Sequence, residues 1–90
     1  MRFYQKMKKL QRKVASLLKT ELKELYTITI RGIQIEISIP STDFETRLGL
    51  LLQRIQQIIE AYFPSRQDDL LILIRDTGNR YANTFKIWKS

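Results

Sequence analysis

The stretch Tyr26–Ile39, YTITIRGIQIEISI, decides the fold. Tyr26, Ile28 and Ile30 alternate with Thr27 and Thr29, and Ile33, Ile35, Ile37 and Ile39 alternate with Gln34, Glu36 and Ser38. Alternation with a period of two marks a half-buried strand, because successive side chains leave the backbone on opposite sides. The apolar parity flips at Arg31-Gly32. A bulge in one long strand and a two-residue hairpin turn both accommodate the flip. Folding about Arg31-Gly32 opposes Ile30 to Ile33, Ile28 to Ile35 and Tyr26 to Ile37, with Thr27–Glu36 and Thr29–Gln34 behind them. Every apolar pair then falls on one face, which favours the hairpin.

Downstream, Pro40 closes the strand and Thr42-Asp43-Phe44-Glu45 has the form of a capping box, with Thr42 as N-cap and Glu45 three residues on. Phe44, Leu48, Leu51, Ile55, Ile58 and Tyr62, flanked by Leu52, Ile59 and Phe63, form a broad helical stripe that stops before Pro64. This helix is expected to cover the core. Ser65–Asp69 is a polar loop, and Leu70–Ile74 is a continuous apolar run, the pattern of a strand buried on both faces. Arg75–Arg80 reads as a turn through Asp76-Thr77-Gly78-Asn79, and Tyr81–Lys89 as the last strand.

Upstream, Phe3, Met7, Leu10, Val14, Leu17 and Leu18 recur at helical spacing within an arc of roughly 100°. Glu21 falls on the same line and interrupts it, so an amphipathic helix is expected over residues 1–24, ending near Glu24. The whole chain therefore reads as one α+β domain, residues 1–90, ordered helix–hairpin–helix–hairpin (αββαββ). The expected sheet is four-stranded and antiparallel, packed by the helices.

Charge is distributed unevenly along this frame. The net charge is +7, and the first 24 residues hold eight of the sixteen Lys/Arg but two of the nine acids. Arg2–Lys6, Lys8–Arg12, Lys9–Lys13 and Lys19–Lys23 are like-charged neighbours one helical turn apart. Each such pair opposes helix formation by about 0.2–0.5 kcal/mol. A cost of that kind, with no carboxylate to offset it before Glu21, points to a helix that meets phosphates. The expected contacts are Arg2, Lys6, Lys8, Lys9, Arg12, Lys13 and Lys19. Arg75 and Arg80 flank a Gly-Asn tip that could form an anion-binding nest of backbone N–H groups.

DNA or RNA is thus the expected partner, without a cofactor. The alternatives are a homodimer and an acidic protein docked on the basic helix. An anionic membrane surface is disfavoured, because Met7, Val14 and Leu17 suit a core-facing helix. Tyr81 and Trp88, interleaved with Lys86 and Lys89, are candidates either for stacking bases or for packing.

The chain has neither Cys nor His, which removes thiol chemistry, the usual zinc sites and histidine acid–base catalysis. Its acids are dispersed, and adjacent Asp68-Asp69 on a loop is the pattern of solvated carboxylates. A non-enzymatic, metal-free module is expected. Arg75…Arg80-Tyr81 after an apolar strand is loosely similar to small ribosome-dependent mRNA interferases. Those place helices before three consecutive strands, whereas here a helix divides two hairpins. No run reaches 18 apolar residues and the basic start lacks an apolar signal core, so a cytoplasmic protein is expected.

Overall fold

The computed structural model describes residues 2–22, 26–65 and 69–87, with the side chains of residues 2–7 outside that description. The element order is α1 (Arg2–Glu21), β1 (Thr27–Arg31), β2 (Gln34–Ile39), α2 (Ser41–Tyr62), β3 (Leu70–Asp76) and β4 (Ala82–Ile87). Trp88, Lys89, Lys23 and Asp68, named above, lie outside the described residues, as does the expected helix end at Glu24. Leu22 has already left the helix.

β1 and β2 form the expected hairpin, with a register displaced from the expected one. Thr27 opposes Ser38, Ile28 opposes Ile37 and Ile30 opposes Ile35. The two-residue turn is Gly32-Ile33, with Gly32 at φ 62°. A two-residue hairpin whose first central position needs positive φ selects glycine there, so the turn settles where Gly32 can occupy that place. The displacement is even, so every residue that stays in a strand keeps its face. Ile33 becomes an exposed turn residue.

The sheet is mixed, which corrects the antiparallel expectation. Its order is β1-β2-β3-β4, and the central pair β2–β3 is parallel, with Ile35 opposite Ile72 and Ile37 opposite Ile74. The reason lies in α2. A helix of 22 residues is ~33 Å long at 1.5 Å per residue, enough to carry the chain back past the sheet. β3 therefore starts from the same end as β2, as in a βαβ crossover. β4 then returns antiparallel to β3, with Ile72 opposite Phe85.

Both helices lie on one face. The core comprises Val14, Ala15 and Leu18 of α1, Phe44, Leu51, Ile55, Ile58 and Ile59 of α2, and inward residues of all four strands from Ile28 to Ile87. Leu10 and Leu17 are only half-buried while Gln11 and Ala15 are buried, so α1 is turned from the stripe read in sequence. The opposite face of the sheet carries no helix among the described residues. Leu71 and Leu73 of β3 therefore stay half-buried instead of buried on both sides as expected.

The capping box does not form. Pro40 occupies the N-cap of α2 with no side-chain capping bond. Thr42 is already inside the helix, where its hydroxyl cannot cap, and its carbonyl accepts from Thr46 Oγ1 at 2.7 Å. Ser41 instead donates across to Asp76. Tyr62, expected on the core line, is 58% exposed at the last turn of α2.

Candidate nucleic-acid interface

α1 presents its basic residues because the buried stripe runs along one side only. Lys9, Arg12, Lys13 and Lys19 are exposed, with Ser16 and Thr20 on the same outer side, and Lys8 is half-buried. Arg2 and Lys6 share the helix, but their side chains lie outside the described part. Among the described residues no carboxylate pairs with Lys9, Arg12, Lys13 or Lys19. Glu21, the acid of the described helix, turns toward Arg54 at 3.6 Å. The outer side of α1 is thus an unbalanced row of positive charge in high-dielectric solvent.

Beside this row lies an open groove of about 580 Å³ lined by Arg12, Lys13, Ser16, Leu17, Thr20, Tyr62 and Phe63. Leu17 and Phe63 supply an apolar floor, half-buried against the core. Tyr62 supplies an exposed ring at the end of α2, its hydroxyl 3.5 Å from Glu21 Oε1.

Arg75 and Arg80 do not join this row. Arg75 lies on the helix-free face, where its Nη1 donates to Glu36 Oε1 at 2.7 Å. Arg31 approaches the same carboxylate oxygen at 3.6 Å. Glu36 is buried between them. A buried carboxylate needs such partners, since removing a charge from water without one costs several kcal/mol. Arg75 is therefore engaged within the fold, although its Nε is buried without an acceptor.

The Arg75–Arg80 turn does form a nest, and the chain fills it with its own anion. The backbone N–H groups of Arg80 and Tyr81 both donate to Asp76 Oδ1 at 2.8 Å, and Ser41 Oγ donates to Oδ2 at 2.6 Å. Asp76 is fully buried at the end of β3. These bonds, that from Ser41 foremost, hold its carboxyl below the ordinary carboxylate range. Gly78 closes the clasp: a Cβ there would stand 3.1 Å from both Asp76 Oδ2 and Ser41 Oγ. The clasp ties the β3–β4 turn to the start of α2. The row on α1 adjoins the other end of that helix, at Tyr62.

Tyr81 is 43% exposed, but one side of its ring is stacked on Phe44 at a centroid distance of 5.3 Å. It faces the helix side while Arg75 faces away, so the two do not share a site. Tyr62, the ring that does adjoin the basic row, is missed by sequence reading. Its spacing continues the α2 stripe, and the stripe outruns the surface it covers.

Comparison with family models, with curated proteins and with solved structures finds no match for this chain. Among the described residues no cluster of acids is grouped to hold a metal ion. No described helix is long and apolar enough to cross a membrane.

Proposed function

We propose that this chain is a small non-enzymatic binding module that contacts the phosphates of DNA or RNA through the outer side of α1, and that it works in the cytoplasm. The observation that carries this reading is the row Lys9, Arg12, Lys13 and Lys19, exposed and without a carboxylate partner among the described residues. Cations of this kind bind a polyanion by releasing its counterions, with no demand on base sequence. Arg75 and Arg80 lie apart and are secondary contacts at most.

The test is a fluorescence-polarisation titration of the full chain against labelled single- and double-stranded oligonucleotides at 50 and 200 mM salt. Binding at low salt that weakens steeply at high salt is expected. No binding of any oligonucleotide at 50 mM salt would overturn the proposal. A second reading, pairing of two copies, is favoured by the helix-free sheet face with half-buried Leu71 and Leu73. Four strands about 4.8 Å apart and ~20 Å long give a footprint of only ~400 Å² per copy. That is about half of what a standard interface buries on each partner.

A further inference from the structure

The groove beside the basic row has a composition that bare phosphate binding does not require. We propose that it receives one base of a single-stranded nucleic acid, stacked on Tyr62 over Leu17 and Phe63, with the adjoining phosphates on Arg12 and Lys13. This rests on the phosphate-binding reading of α1 and adds a strand type and a base-binding residue to it.

Three observations combine. Tyr62 is 58% exposed at the end of a helix whose apolar line otherwise goes into the core. Arg12 and Lys13 line the same groove, so a charge and a ring are presented together. The volume of about 580 Å³ is open along one side, which suits a unit threaded through a chain and not an enclosed small molecule. Bases stack on such rings regardless of identity, because every base has an apolar π face.

The charges also fix which part of the nucleotide goes where. Tyr62 ends α2, and the C-terminus of a helix carries its negative dipole end. Glu21 approaches the Tyr62 hydroxyl from the same side. Arg54 answers the Glu21 charge, but the dipole end still favours the edge of a base or a sugar hydroxyl there over a phosphate. Phosphates are drawn one helix over, to Arg12 and Lys13. A duplex keeps its bases paired inside and cannot place one on Tyr62, so the groove distinguishes single strands from duplexes. The helix-free face of the sheet exposes no aromatic ring among the described residues and offers no equivalent platform.

The test uses the full chain and three labelled 12-mers: oligothymidylate, an abasic strand with the same phosphates, and a mixed-sequence duplex, all by polarisation at 50 mM salt. Tyr62→Ala is expected to weaken oligothymidylate at least about five-fold and to leave the abasic strand and the duplex unchanged. Tyr62→Phe keeps the ring and should bind oligothymidylate like the parent. Tyr62→Leu, which keeps bulk without an aromatic face, repeats the test should the alanine variant lose its circular-dichroism spectrum. R12Q/K13Q should weaken all three strands. If Tyr62→Ala and Tyr62→Leu weaken none of the strands, or weaken all three equally, the base-binding groove is overturned and the phosphate reading stands. If the parent binds none of the three, the phosphate reading falls and takes this one with it.

Discussion

On α1, Lys9, Arg12, Lys13 and Lys19 face solvent with no carboxylate against them, whereas on the helix-free face of the sheet Arg31 and Arg75 close on one carboxylate, Glu36. Both regions are rich in cations, and by residue type the α1 row and Arg75 alike suit phosphate. The difference is burial of the counter-charge. Glu36 is pressed into the sheet between strands and must be answered from within the fold. α1 has no acid at the equivalent place, so its field is left to act on something outside. The β3–β4 turn teaches the same lesson at smaller scale: its backbone nest is real, and Asp76 already fills it.

The largest effect expected from this contrast is on binding. Changing Lys9, Arg12, Lys13 and Lys19 together to Glu should weaken oligonucleotide binding by more than about 100-fold at low salt and flatten the salt dependence by 0.7–0.9 in log–log slope per lost phosphate contact. The circular-dichroism spectrum should be retained. Persistent tight binding with all four reversed would break the comparison at its stronger side.

Next comes Arg75→Ala, which leaves buried Glu36 with only the longer contact to Arg31. It should lower unfolding free energy in urea by about 1–3 kcal/mol while oligonucleotide affinity changes less than two-fold. A loss of affinity with unchanged stability would reverse the roles assigned to the two regions.

The pH dependence of stability reports on two groups held by hydrogen bonds within the fold, buried Asp76 and half-buried Tyr26. Asp76 has a depressed carboxyl, so its contribution is present above the unfolded value near 4 and is lost as pH falls through its lower folded value. Asp76→Asn should remove that acid-side loss from urea midpoints recorded between pH 5 and 2. Tyr26 is pushed up to about 12, by burial first and then by the hydrogen bond it donates to Asp43. Its contribution is full below pH 10 and is lost as pH rises toward 12, a loss that Tyr26→Phe should abolish. The smallest effect is Arg12→Ala, expected to shift stability by no more than about 0.5 kcal/mol, because the side chain is exposed and touches no carboxylate.

Much of the frame was legible because it is local. The alternation through Tyr26–Ile39 marked two strands and a turn, and Gly32 marked the turn to within a residue. The broad stripe from Phe44 marked α2, and Pro64 marked its end. Asp76 was not legible: its place before Thr77-Gly78-Asn79 marked only a turn, and only the approach of Ser41 from 35 positions away made it a buried clasp. Tyr62 was not legible either, since periodicity reports which side of a helix a residue is on and not where the surface beneath it stops.

What the sequence determined by itself was therefore the set of elements, the face of each that is apolar, and the excess of positive charge on the first helix. All of these depend on residues within a turn or two of one another. The parallel β2–β3 pairing, the bare face over Leu71 and Leu73, the capture of Arg75 by Glu36 and the meeting of Tyr62 with Arg12 and Lys13 were decided by the tertiary structure. The three meetings join residues more than thirty positions apart, and which residues meet and which face stays bare depend on where α2 carries the chain.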